Sequence, residues 1–286
     1  MSSVDEIREA EYRQHRLGGV LAKYNRSVQI FDELREEIGA YLKDQQGGDF
    51  SRGEFDPETW EWVERYTGRQ PPLRWGVLLG DCVHNLRSAL DHLICQVALL
   101  DGGTMDDCDR SQFPIASKSE KQYQRMAARC LPRCFTEEHR AMVRRPQPFL
   151  ENDRGNLHPL SALADLSNTD KHRLINPAIG FMDTDAADFL DRITRNYEGA
   201  GPSPVQSWWM LKHGSALEDG TPWFRIVFDR EILKESVQVE IKANIKVGVA
   251  FGEIGLDSRD FKTIGEYVSI VIDRFMREFP ETRYDD

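Results

Sequence analysis

The sequence predicts an α+β fold that is mainly α, built as a helical bundle followed by a small antiparallel β-sheet and a C-terminal helix. Up to about residue 176, apolar residues recur at steps of three and four, which places them on one side of a helix. Beyond residue 177, β-branched and aromatic residues alternate with polar ones, as in strands with one solvated face. We therefore expect a helical domain over 1–176 and a sheet with a terminal helix over 177–286, packed together as one unit.

Prolines and capping residues divide the helical region. Pro71 and Pro72 exclude a helix across them, because proline lacks a backbone donor and disfavours helical geometry in the preceding residue. Asp56 followed by Pro57 predicts the start of a short helix, and Thr136 predicts another N-cap. The predicted helices run over residues 5–44, 56–66, 73–100, 117–128, 136–145 and 158–176.

The C-terminal region carries the strand signals. Residues 207–211 and 223–228 are rich in aromatic and β-branched side chains, with turn-forming residues at 218–221 between them, and so predict a hairpin. Residues 237–249 alternate almost strictly and predict a strand. An amphipathic helix is expected over 261–279.

The helix predicted over 73–100 carries most of the unusual chemistry. Its apolar residues form one stripe, which must be buried. The opposite face holds Asp81, His84, Asn85, Ser88 and His92, with Arg87 and Asp91 on one flank. This density of ionisable and polar groups exceeds what a plain amphipathic helix needs, so we expect any active site to lie on this helix.

Arg87 and His92 enclose four residues, and in a helical context this Arg-x4-His spacing resembles the signature of HEPN-fold ribonucleases. Metal-free RNA cleavage needs a group that moves protons and a cation that stabilises the developing phosphorane charge. The resemblance implies a metal-independent endoribonuclease, acting in phage defence or a toxin system. His92 would activate the 2′-hydroxyl, Arg87 would hold the phosphate, and the product would be a 2′,3′-cyclic phosphate. No metal and no cofactor are expected.

The resemblance also implies a homodimer. Five residues along a helix correspond to about 140° of net rotation, so the two side chains of one helix point in different directions. A composite site between two facing helices would bring them together around the RNA. The accessory groups expected in such a site are His84, Asn85, Ser88, Asp91, Asp170, Lys171, His172 and Arg173.

A wider resemblance spans most of the chain. The runs His84-Asn85-Leu86-Arg87-Ser88-Ala89-Leu90-Asp91-His92-Leu93 and Asn168-Thr169-Asp170-Lys171-His172-Arg173 are similar to a functionally unassigned family of bacterial and phage proteins. No activity comes with that family.

Two other interpretations remain open. In a non-enzymatic helical scaffold or binding protein, Arg87, Asp91 and His92 would form a buried polar network with Asp170, His172 or Arg173, since buried polar groups require partners. In a metal-binding bundle, Asp81, His84 and His92 would join acidic or histidine ligands of the later helix.

The distribution of charge bears on whether the protein binds nucleic acid. The formal charge of −11 argues against a protein that coats nucleic acid over its whole surface, although residues 118–145 hold eight basic and three acidic residues. This stretch gives a second prediction of RNA binding, separate from the site on the helix over 73–100, with Arg125, Arg129, Arg133, Arg144 and Arg145 as its candidate residues.

The remaining expectations concern location and isolated residues. No apolar run is long enough to span a membrane, and the acidic N-terminus lacks the layout of a secretory signal, so we expect a cytoplasmic protein. Five cysteines, an odd number, are expected to be free thiols. His139 is expected at the surface, and His158, which precedes a proline, as a loop or cap residue.

Overall fold

The computed structural model describes residues 16–45, 51–151, 158–172, 175, 177–183, 205–212, 215–229, 246–251 and 258–279. The helices are α1 (Gly18–Gln45), α2 (Arg74–Leu100), α3 (Met105–Asp109), α4 (Glu120–Cys130), α5 (Glu137–Arg144), α6 (Pro159–His172) and α7 (Ser258–Met276), with a short 3₁₀ helix at Pro148–Leu150. The strands are β1 (Ser51–Asp56), β2 (Glu61–Tyr66), β3 (Pro177–Asp183), β4 (Val205–Met210), β5 (Ala216–Leu217), β6 (Pro222–Phe228) and β7 (Lys246–Phe251).

The predicted fold class is confirmed: the chain is mainly helical, with antiparallel sheet structure and a C-terminal helix. The strands form two sheets, of order β1-β2-β6-β4 and β5-β3-β7, and every described strand pair is antiparallel. The predicted hairpin is present, because β4 pairs with β6. Residues 5–15 of the first predicted helix and 237–245 of the predicted strand lie outside the described residues. No helix in the described ranges is both long and apolar enough to cross a membrane.

The chain divides into two compact units whose bounds differ from the predicted domains. One combines Met1–Leu34, Gly76–Ile175 and Arg259–Asp286, and the other combines Arg35–Trp75 and Asn176–Ser258. The terminal helix therefore belongs with the helical unit, where its Phe261 ring lies 6.4 Å from that of Phe31 in α1. Residues 51–66 belong with the strand-bearing unit because β2 pairs with β6.

The helix predicted over 56–66 is wrong, since this segment is a β-hairpin. Asp56 Oδ1 accepts the backbone N–H of Glu58 at 2.8 Å, so its side chain closes a turn instead of capping a helix. Trp60 ends the loop with φ of +58°, and its N–H donates to the Asp56 carbonyl at 2.9 Å. Pairing of β2 with both β1 and β6 outweighs the local helix signal.

The other helix boundaries follow local chemistry closely. Ser119 Oγ and Thr136 Oγ1 each accept an N–H from the first turn of α4 and α5, at 3.2 Å in both cases. The central helix ends at Leu100, two residues before Gly102, whose φ of +83° suits glycine, while Gly103 N–H donates to the Ala98 carbonyl at 2.8 Å. The predicted loop over 104–114 contains the short helix α3.

The cysteine prediction is wrong for two residues. Cys95 of α2 and Cys108 of α3 form a disulfide, while Cys82, Cys130 and Cys134 are free. Cys95 and Cys108 lie on two different helices, and they come together because the chain reverses direction in the turn at Gly102. The disulfide therefore ties α3 to the central helix.

Residues 111–116 follow α3 without helix or strand structure, and all of them except Gln112 are buried. Phe113, Pro114, Ile115 and Ala116 are all buried, so their backbone polar groups need protein partners. Gln147, which is fully buried, supplies two of these bonds: its Oε1 accepts from Ala116 N–H and its Nε2 donates to the Pro114 carbonyl, both at 2.8 Å. The same Nε2 also donates to the Val143 carbonyl of α5 at 2.9 Å.

His158 caps α6, as predicted. Its Nδ1 accepts the Leu160 N–H at 3.1 Å, and its Nε2 lies 3.2 Å from the Tyr267 hydroxyl and 3.5 Å from Glu151 Oε2. Because Nδ1 must carry a lone pair to cap the helix, the imidazole is neutral with its proton on Nε2. Burial lowers its pKa, against the opposing charge of Glu151.

We expect Gln147→Ala to destabilise the protein by about 3–5 kcal/mol, because several buried backbone groups lose their partners. Urea unfolding monitored by circular dichroism measures the change. Gln124→Ala is the matched control, since Gln124 is exposed on α4, and it should change stability by less than about 0.5 kcal/mol. Equal effects of the two substitutions would contradict this role.

We expect the helix-capping contribution of His158 to weaken as the pH falls below about 6.5. The folded-state pKa lies below the ordinary histidine value of about 6.5, so the stabilisation is complete above that value and is lost as protonation removes the Nδ1 lone pair. Urea midpoints at several pH values, compared with His158→Asn, measure this. Asn retains a capping oxygen and does not titrate, so a pH-independent difference between the two proteins would contradict the prediction.

Candidate functional site

The central helix α2 is amphipathic, as predicted. Its apolar stripe is buried at Leu79, Cys82, Val83, Leu86, Ala89, Leu90, Leu93 and Val97. On the other side, Asp81, His84 and His92 are exposed, whereas Asn85 and Ser88 are partly covered. Burial of the stripe fixes the rotation of α2, and this rotation decides what each polar residue faces.

Arg87 and Asp91 pair with each other and with the backbone of Phe113. Arg87 Nη2 lies 2.9 Å from Asp91 Oδ1 and donates to the Phe113 carbonyl at 2.7 Å. Asp91 Oδ1 also accepts the Phe113 N–H at 2.8 Å. The two side chains are only 17% and 26% exposed. Both polar groups of one buried residue are thus satisfied by a single i,i+4 pair.

His92 has a different environment. The residue is exposed, but one edge of its ring approaches α1, where a Cβ on Gly19 would lie 3.7 Å from Nδ1. Partial burial and the nearby positive charge of Lys23 lower the pKa of His92, and Asp91 opposes them. The imidazole is therefore neutral at neutral pH, the state required of a general base.

The helix does not bring Arg87 and His92 to one place. Arg87 points to Phe113, and His92 points toward α1 and solvent. This divergence follows from helix geometry, since five helical residues rotate by about 500°, which is about 140° beyond one full turn. Within one chain, the pair of predicted catalytic residues does not form a common centre.

The accessory residues are also not gathered in one place. Asn85 donates to the Asp81 carbonyl at 2.8 Å, within its own helix. Asp170 of α6 lies against α2 at Gly80, where a Cβ would approach its Oδ1 to 2.2 Å. Burial and the charge of Asp81 raise the pKa of Asp170, while His84 lowers it.

Lys171 and His172 are exposed at the end of α6. Arg173 lies outside the described residues. The predicted polar network thus takes another form, since Arg87 and Asp91 bond to Phe113 instead of α6.

The predicted RNA-binding arginines are also in different environments. Arg125, Arg129, Arg133 and Arg145 are exposed. Arg144 is committed to a bidentate pair with Glu120, through Nε at 3.0 Å and Nη2 at 2.6 Å, with its guanidinium 5.8 Å from the Phe149 ring centroid. Arg144 is the least available of the five.

His139 is a residue that sequence reasoning missed, since it is buried and not at the surface. Its Nδ1 lies 2.9 Å from both carboxylate oxygens of Asp101, and Asp101 also accepts the Thr136 N–H at 2.9 Å. The pair joins the end of α2 to the start of α5. The N-cap at Thr136 was a usable signal, because it places His139 in the first helical turn.

Among the described residues, no group of three or more histidine, cysteine, aspartate or glutamate side chains is arranged to hold a metal ion. The sets that the sequence offered for a metal-binding bundle are therefore not assembled in the described part of the chain. Asp170 approaches α2 at Gly80, one residue before Asp81, but it does not complete a ligand set there.

We expect Arg87→Met to destabilise the protein by about 2–3 kcal/mol, because it leaves Asp91 and the Phe113 carbonyl without their shared partner in a largely covered position. Chemical unfolding measures the loss. Arg125→Met is the matched control, since Arg125 is exposed, and should cost less than about 0.5 kcal/mol. An Arg87→Met protein as stable as the control would show that the bonds of Arg87 to Asp91 and Phe113 contribute little to the stability of the fold.

Comparison with models of protein families, with curated proteins and with solved structures finds no match to this chain.

Proposed function

We propose that this chain is a non-enzymatic helical binding protein in which the polar motif of α2 holds the bundle together. The observation that carries the proposal is the double use of Phe113: Arg87 donates to its carbonyl and Asp91 accepts its N–H. A catalytic Arg87 would have to hold a phosphate with a guanidinium that is already bonded to the Phe113 carbonyl and to Asp91, or release this buried backbone. That release would leave polar groups without partners at a cost of about 1–3 kcal/mol each.

A second candidate, the metal-independent HEPN-like endoribonuclease, is favoured by a different observation. His92 is exposed, and its lowered pKa keeps it neutral near pH 7, which suits a base that activates a 2′-hydroxyl. In this candidate two copies pair through α2, so that His92 of each chain meets the RNA in a composite site. Arg87 would then be a positioning residue that acts through Phe113. A cytoplasmic location belongs to both proposals.

RNA cleavage in excess EDTA separates the two. We expect purified wild-type protein to leave a mixed RNA pool intact, and Arg87→Lys to unfold more easily than wild type. His92→Ala and His84→Ala form a matched pair, because both histidines are exposed on α2. Cleavage by wild type and His84→Ala, lost in His92→Ala and yielding cyclic-phosphate ends, would overturn the non-enzymatic proposal and support the ribonuclease.

Oligomeric state provides an independent check on the ribonuclease. The composite site requires two chains, so cleavage activity should fall more steeply than protein concentration as a dimer dissociates. Light scattering coupled to size exclusion measures the mass over the same concentration range. A monomer that still cleaves RNA would contradict the composite site.

A further inference from the structure

A polar cavity of about 700 Å³ lies between α3 and the C-terminal end of α4. Its volume falls within the range of about 300–1,000 Å³ that is typical of small-molecule sites. One wall comes from residues 106–110 and the other from residues 128–133. Neither wall uses the α2 residues discussed above, so the cavity is a separate feature of the helical unit.

Three arginines line this cavity: Arg110, Arg129 and Arg133. All three are exposed, and in the described part of the chain none of their guanidinium groups forms an ion pair with a carboxylate. Arg144, by contrast, is neutralised by Glu120. The cavity is thus lined by three arginines without a direct ion pair, alongside Asp106, Asp107 and Asp109. Guanidinium groups that are not paired with a carboxylate can bind phosphate, since they match its oxygens in charge and geometry.

The same cavity offers acceptors as well as cations. Asp107 is already used, because Thr104 donates to it through its N–H at 2.8 Å and its hydroxyl at 2.9 Å. Asp106 and Asp109 are exposed and line the cavity. A ligand that carries only phosphate would be repelled by these carboxylates. A ligand that also presents hydroxyl donors would satisfy both sets of groups.

The walls are held in place before any ligand binds. The disulfide joins Cys108 of α3 to Cys95 of α2, and Gln112 N–H, two residues after the first wall, donates to the Cys130 carbonyl of the second wall at 3.1 Å. Ser111 N–H donates to the Cys108 carbonyl at 3.0 Å. Fixed walls reduce the ordering cost of binding.

We propose that this cavity binds a ribonucleotide phosphate, with the phosphate on Arg110, Arg129 and Arg133 and the ribose hydroxyls near Asp106 and Asp109. The inference rests on the proposed binding function and names its ligand class. It also divides the arginines of residues 118–145, because Arg129 and Arg133 line the cavity whereas Arg125 and Arg145 do not. The nucleotide can be free or part of single-stranded RNA, and both present the same chemistry.

Fluorescence anisotropy with a labelled single-stranded RNA of about twelve nucleotides tests the proposal. We expect wild-type binding to weaken between about 50 mM and about 200 mM salt, and Arg129→Gln/Arg133→Gln to lower affinity about tenfold. The double substitution should also reduce the salt slope by about 1.4, since each phosphate contact on a single strand contributes about 0.7. DNA of the same sequence should bind more weakly than RNA.

Arg125→Gln is the matched control, because Arg125 is exposed on the same helix and does not line the cavity. It should change the affinity by less than about twofold. Competition by uridine 5′-monophosphate at concentrations well below about 1 mM would identify a free nucleotide as the ligand, and competition only by unlabelled RNA would identify the polymer.

Equal weakening by the control and the double variant would overturn the cavity proposal, as would the absence of binding by both probes at about 1 mM. The outcome is independent of the cleavage assay. The protein could cleave RNA while Arg129→Gln/Arg133→Gln leaves its RNA affinity unchanged. That result would overturn the cavity proposal and still support the ribonuclease candidate.

Discussion

The helical unit depends on hydrogen-bond partners for a buried segment that is neither helix nor strand. Residues 113–116 are buried, so their backbone groups need partners within the protein, and side chains supply several of them alongside the Phe149 N–H, which donates to the Ala116 carbonyl. The Arg87–Asp91 pair serves Phe113, and Gln147 serves Pro114 and Ala116. These three side chains come from α2 and from the turn after α5, so a single requirement joins elements far apart in the chain.

This requirement changes the meaning of the α2 motif. As a linear pattern, Arg87 and His92 resemble a pair of catalytic residues, and Asp91 resembles an accessory group. In the fold, Arg87 and Asp91 act as one structural unit, and His92 stands apart from them in solvent. A charged pair with two backbone hydrogen bonds on a partly covered surface is well suited to fixing a loop. The Arg87–Asp91 pair is poorly suited to a reaction that would require its hydrogen bonds to this loop to break.

The net charge of the chain and the charges around individual arginines lead to different expectations about RNA binding. A net charge of −11 disfavours general attraction to nucleic acid, yet charge acts locally, since salt screens interactions beyond about 10 Å. Within residues 118–145, Arg144 is neutralised by Glu120, whereas Arg129 and Arg133 line a cavity together with Arg110. The linear surplus of basic residues could not separate these two situations.

The sequence by itself determined the fold class, the limits of α2, the caps of α4 and α5 and the buried stripe of α2, because each depends on residues within a few positions of one another. It failed at residues 56–66, where pairing with the distant β6 overrides a local helix signal. The tertiary structure alone decided that Arg87 and Asp91 bind Phe113, that His139 meets Asp101, that Cys95 joins Cys108 and that Arg110, Arg129 and Arg133 line one cavity. These contacts join residues 10 or more positions apart and depend on how the loops return, which periodicity and spacing do not encode.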